Sequence, residues 1–217
     1  MNTYGKTARI CRKLMHMIGP RYQISGNTAA PHPAVYICRH LNMRGPIITL
    51  GLLPIQPRPW ILAKLCQKQS CFAHYCDYTF TQRFGWPRFL AKLIAYPLAI
   101  FMDRLTTDLE AIPVHRDKQS FRTISQSVQA LLEGDDLILY PDVEYRETGD
   151  IGQLYQGFLL VEKFYYRKSN NHLPFIPIKL HDHQLLIGAP LYFETYQDDQ
   201  EFQRQSQILA AQISAAI

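Results

Sequence analysis

The sequence predicts an α/β fold: a largely parallel, mixed central sheet flanked by helices, with an amphipathic helix at its N-terminus. Three observations lead there. Short apolar runs that suit strands, such as 34–38 and 137–140, alternate with longer stretches of helical periodicity. Proline and glycine punctuate the boundaries, as at Gly19-Pro20 and Pro31-His32-Pro33. A chain of 217 residues that is 47% hydrophobic has enough apolar surface for one good core, so residues 1–217 are expected to form a single domain.

Residues 4–18 place Ile10, Leu14, Met17 and Ile18 at helical spacing among Lys and Arg. Residues 1–20 therefore read as a basic amphipathic helix that either lies on an anionic membrane surface or caps an edge of the core. Residues 21–25 and 34–38 read as strands, a helix is expected after Pro46, and Pro54, Pro57 and Pro59 then enforce a loop. Residues 60–68 and 86–105 read as helices. Trp60, Phe72, Tyr75, Tyr78, Phe80, Phe84 and Trp86 make the middle third strongly aromatic. Most of these rings are expected in the core, with some lining an apolar channel or meeting an interface.

From there the pattern is cleaner. Residues 111–114 read as a strand, and Ser120 as the cap of a helix with Ile124, Val128, Leu131 and Leu132 on one face, stopped by Gly134. A strand at 137–140 and a helix at 156–166 follow. Residues 175–180 and 185–187 suit a strand pair around His181-Asp182-His183, and a last helix starts after Asp198.

Composition narrows the function classes. The longest apolar run, near 93–102, is broken by Pro97 and is too short to span a bilayer. Lys6, Arg9, Arg12 and Lys13 interrupt the N-terminus, which does not read as a signal peptide, so a cytoplasmic protein is expected. Five cysteines, an odd number, fit reduced thiols better than a disulfide framework. Residues 1–76 carry ten Lys/Arg and no Asp or Glu, while the rest of the chain carries thirteen basic and eighteen acidic residues. That block attracts anions such as lipid headgroups, phosphorylated substrates or nucleic acid, unless the acidic half neutralises it in the fold.

Three segments carry candidate chemistry. His40, Arg116 and Asp142 each follow a predicted strand, and ligands of such sheets gather beyond the carboxyl ends of the strands. Each also has a plain structural reading: a hydrogen-bonded histidine at a strand end, an ion pair with Asp117 or Asp142, and a turn cap.

Four blocks, spread over roughly residues 21–190, resemble the ordered motifs of the glycerolipid acyltransferases, the 1-acyl-glycerol-3-phosphate (PlsC-like) family. Arg39-His40-Leu41-Asn42-Met43-Arg44-Gly45-Pro46 is similar to its His-(x)4-Asp block, and Ile112-Pro113-Val114-His115-Arg116 to the segment whose arginine grips phosphate. Tyr140-Pro141-Asp142-Val143-Glu144-Tyr145-Arg146 is similar to Phe-Pro-Glu-Gly-Thr-Arg, and Leu173-Pro174-Phe175-Ile176-Pro177 to a late Val-Pro-(x)-(x)-Pro strand.

The resemblance implies an acyltransferase-like fold and a role in phospholipid biosynthesis, peripheral on the inner membrane face. It implies transfer of an acyl group from acyl-CoA or acyl carrier protein to a lysophospholipid or glycerol phosphate hydroxyl, with no bound cofactor. Carried over, His40 is the general base, Asp142 stands for the family's glutamate, and Arg116 binds phosphate with help from Arg44 or Arg146. The alternative is a relative that binds a lipid or acyl group without transfer. Three departures bear on the choice: Gly45 replaces the aspartate, Val143 a glycine, and Tyr145 the second arginine. Asp142 or Glu144 is then a candidate to orient His40; Asn42 offers a hydrogen bond without charge, and Gly45 allows close backbone approach to a ligand. Arg39 and Arg44 either add phosphate contacts or form solvated basic surface.

Other chemistries are weaker. Cys66, Cys71, His74 and Cys76 do not match the spacing of a structural zinc site, and no metal is expected. No Gly-rich nucleotide loop or nucleophile elbow is present, and no nucleic-acid-binding module is recognisable.

Overall fold

A computed structural model describes residues 3–115, 120–142 and 154–217. The elements run α1 (Lys6–Ile18), β1 (Gln23–Gly26), β2 (Val35–Cys38), α2 (Arg44–Leu52), β3 (Arg58–Leu62), α3 (Lys68–Ala73) and α4 (Arg88–Asp108). Then come β4 (Ile112–Val114), α5 (Ser120–Leu132), β5 (Leu137–Leu139), α6 (Leu160–Ser169), β6 (Phe175–His181), β7 (Gln184–Ile187) and α7 (Asp199–Ala216). A π-helical stretch, His74–Arg83, joins α3 to α4.

The seven strands form one sheet in the order β1-β7-β6-β2-β5-β3-β4. Neighbours are parallel except the β6–β7 hairpin, whose turn residues Asp182 and His183 have φ of 39° and 61°. Side-chain alternation along the central strands makes two cores. Val35, Ile37, Leu137 and Leu139 face α5, α6 and α7. Tyr36, Cys38, Ile138 and Ile178 face Ile48 and Leu52 of α2. A sheet buried on both faces explains why β2 and β5 are apolar without a break.

The helix ends obey local chemistry. Asp198 caps α7 by accepting the N–H groups of Gln200 and Glu201, both at 2.8 Å. Gly134, at φ 89°, stops α5. Arg12 of α1 donates to Leu50 O and Leu53 O at the end of α2, so one basic residue of the N-terminal helix serves packing.

Residues 60–68 are not one helix. Trp60-Ile61-Leu62 completes β3, a 3-10 turn follows at Ala63–Leu65, and α3 starts only at Lys68. Pro59 suits a strand here because the ladder to β4 begins one residue later, at Trp60↔Ile112, so its missing N–H costs no bond on that side. The helix expected after Pro46 starts two residues earlier, at Arg44, with Pro46 in its first turn where no donor is needed.

Candidate functional site

β2 runs through Arg39 into His40, and β5 runs through Tyr140 and Pro141 into Asp142. The two strands are adjacent and parallel, in register from Val35↔Leu137 to Ile37↔Leu139, so both residues emerge at the carboxyl edge of the sheet. β4 ends at that edge too, three places from β2 and roughly 14 Å away at ordinary strand spacing. Arg116, Glu144 and Arg146 lie outside the described residues.

Asp142 is buried, and both its carboxylate oxygens accept the main-chain N–H of His40, at 2.8 and 3.0 Å. These bonds tie the ends of β2 and β5 together through the histidine's backbone. Burial pushes the Asp142 carboxyl above the usual carboxylate range, against the opposing pull of that N–H and of Arg39.

One nitrogen of the His40 ring is engaged by its own turn. The main-chain N–H of Met43 donates to Nδ1 at 3.1 Å. A backbone N–H only donates, so Nδ1 accepts and the neutral ring carries its proton on Nε2. Burial lowers the His40 pKa and favours that neutral form. Leu41, Asn42 and Met43 make the bond possible by turning left-handed in succession, with φ of 46°, 49° and 78°. Such a conformation costs about 1–2 kcal/mol per non-glycine residue, least for Asn, so the surroundings must hold it. Buried Leu41 anchors one side. On the other, Thr49 Oγ1 donates to Gly45 O at 2.7 Å and is bonded to the Tyr140 hydroxyl, also at 2.7 Å.

Gly45 closes the turn by donating its N–H to His40 O at 3.0 Å. A Cβ at this position would sit 1.9 Å from the Arg39 carbonyl oxygen. With this backbone, no side chain fits at 45. The missing aspartate is therefore part of a rebuilt turn.

The arginines divide. Arg44 is exposed and donates through Nε to the Tyr22 hydroxyl at 2.8 Å, which steadies it over the Tyr22 ring. Arg39 Nε is buried and has no hydrogen-bond partner among the described residues. An unmet buried donor of this kind costs about 1–3 kcal/mol. The sequence points to Arg39 as a candidate phosphate contact but gives no sign of the Met43 N–H or the Tyr140–Thr49 bond. A main-chain donor leaves no mark in a sequence.

Among the described residues no group of three or more His, Cys, Asp and Glu is placed to hold a metal ion. Burial raises the thiols of Cys66 and Cys71 to about 11, so both are protonated at neutral pH. No described helix is long and apolar enough to cross a membrane.

The seven-stranded sheet flanked by helices is an acyltransferase-like α/β fold. The chain is similar to the crystal structure of PlsC, the 1-acyl-sn-glycerophosphate (LPA) acyltransferase of Thermotoga maritima, with a TM-score of 0.53 and 8% sequence identity. The match covers 96% of this chain and 77% of that one. At that identity the likeness is one of fold. No protein-family model and no curated protein sequence matches the chain.

Proposed function

We propose that this acyltransferase-fold protein binds a glycerol-phosphate-type lipid, such as a lysophospholipid, at the carboxyl edge of its sheet and does not transfer an acyl group to it. The observation that carries this reading is the Met43 N–H on His40 Nδ1. A base for the acceptor hydroxyl needs an open ring nitrogen, and in the family pattern that nitrogen is Nε2, with the proton on Nδ1 held by a carboxylate. Here the tautomer is reversed, and position 45 has no room for the carboxylate. What persists is the capacity to hold an anion: the unmet Arg39 Nε and the exposed Arg44 flank His40. The apolar side chains of α1, exposed beside its Lys and Arg, support a peripheral place on an anionic membrane.

The second reading is acyl transfer from acyl-CoA or acyl carrier protein with His40 as base. The convergence of His40 and Asp142 on one edge favours it. The two readings separate in one assay on purified protein with lysophosphatidic acid, glycerol phosphate and both classes of acyl thioester. Calorimetric binding of lysophosphatidic acid without turnover is expected. Transfer that disappears in His40→Ala would overturn the binding reading.

A further inference from the structure

α4 is built inside out. The side chains it buries are small: Ala91, Ala95 and Ala99, four residues apart, lie at 0% exposure, and the first two pack on Cys76 and Phe80 of the π-helical stretch. Its large apolar side chains face outward instead. Phe89 is 71% exposed and Leu93 67%, with Leu90, Ile94, Tyr96 and Phe101 also in the open. At 100° per residue these side chains span the half of the helix opposite the alanines, over a length of roughly 18 Å. Exposed Phe84 and Trp86 extend the patch from the N-terminal end. Soluble surfaces rarely carry so continuous an apolar face without a partner.

We propose that this face of α4 is a docking surface that inserts into an anionic phospholipid leaflet. The charges around it identify the occupant. Arg83, Arg88, Lys92 and Arg104 are all exposed on or beside the helix, and residues 63–104 hold six Lys/Arg against two Asp. An apolar face rimmed by basic side chains matches a leaflet with anionic headgroups, where the rings and aliphatic groups enter the acyl boundary. A symmetric second copy fits worse. A two-fold contact lays the patch on itself, and although Arg88 is paired with Asp77 at 3.1 Å, the exposed Arg83, Lys92 and Arg104 of both copies leave like charge in excess along the shared rim. α4 also adjoins α1, whose first turn is capped by the Asp108 carboxylate at the end of α4. Two helices with outward apolar side chains are thus coupled end to end. The inference holds whether the sheet edge binds or transfers.

The test is flotation of the whole protein with vesicles of phosphatidylcholine alone or mixed with phosphatidylglycerol at about three to one, with brominated lipids to quench tryptophan. Wild type is expected to float with the anionic vesicles. Trp86 is expected to be quenched, a signal lost in Trp86→Phe, where only Trp60 remains. The double variant Phe89→Glu/Leu93→Glu is expected to lose at least about tenfold in partitioning with its melting temperature unchanged, because both side chains are exposed. An Ile10→Glu/Met17→Glu variant of α1 reports that helix separately and should keep the quenching of Trp86. Partitioning of the α4 variant equal to wild type would overturn the proposal. So would a wild type that ignores vesicles and runs as a dimer which the α4 substitutions dissociate, since the occupant would then be a second copy.

Discussion

The main-chain N–H of Met43 donates to Nδ1 of His40 across a left-handed turn, at 3.1 Å. That bond fixes which nitrogen carries the proton. The neutral ring is expected as the Nε2–H tautomer, and ¹⁵N shifts of labelled histidine read this directly. A Nδ1–H signal for His40 would remove the basis for the binding reading.

The same contact predicts a pH response. Burial lowers the His40 pKa in the folded state, so between the unfolded value of about 6.5 and the folded one the unfolded chain binds more protons. The stabilisation is full above that unfolded value and is lost as pH falls through the folded pKa, where a proton on Nδ1 would face the Met43 N–H. Denaturant melts of wild type and His40→Gln across pH 5–8 are expected to diverge on the acid side. Parallel curves would show that His40 is not the group responsible.

Gly45→Asp is expected to destabilise the protein and to create no transfer activity. Its Cβ would meet the Arg39 carbonyl at 1.9 Å, a backbone atom that cannot move without unpicking the turn. Overpacking of this severity costs about 3 kcal/mol. Gly45→Ala should show most of the same loss, because the clash begins at Cβ. Wild-type stability in either variant, measured by urea unfolding, would mean the turn has an alternative form.

Much of this architecture is legible in the sequence, for identifiable reasons. β2 and β5 are fully buried strands and read as unbroken apolar runs, and the helices with strong apolar stripes, such as α5, declare themselves by period. The segment 60–68 misleads because a short apolar run preceded by prolines fits a strand and a buried helix equally; the pairing of Trp60–Leu62 with β4 decides. His40 and Asp142 are legible as residues beyond strand ends. The turn that follows His40 is not, since left-handed φ at Leu41 and Met43 opposes what those residue types prefer. Gly45 is the one visible trace of that turn, and in a sequence it looks like a lost aspartate. α4 hides for a related reason: its composition suits a core helix, and only its packing shows that the alanines face in.

Asp142 should behave as a backbone clamp. Asp142→Asn keeps an acceptor for the His40 N–H and is expected to cost under about 1 kcal/mol, whereas Asp142→Ala strands that N–H and should cost about 1–3 kcal/mol. The pH dependence runs opposite to that of His40. The folded Asp142 pKa is raised, so the folded state holds its proton longer, and this residue's contribution falls as pH rises from about 4 through the folded pKa. Asn should abolish that component. Equal stability of the Asn and Ala variants would show that the clamp carries no weight.

Arg39 offers the sharpest test of an anionic ligand, because the argument concerns one nitrogen. Its Nε is buried without a partner, while the guanidinium lies close enough to Asp142 to oppose the rise in its pKa. A phosphate or carboxylate oxygen can relieve that unmet donor only if binding at the sheet edge opens a path to the buried Nε. Lysine cannot copy this, since it retains the charge but places no N–H at that point along the side chain. Arg39→Lys is therefore expected to weaken lysophosphatidic acid binding about tenfold while leaving the unliganded protein as stable as wild type, or slightly more so. Arg44→Lys, at an exposed position already engaged with Tyr22, should change affinity far less. Titration calorimetry of the two variants at fixed salt compares them directly. If Arg39→Lys binds as tightly as wild type and Arg44→Lys does not, the anion sits at the mouth of the turn and Nε plays no part in holding it.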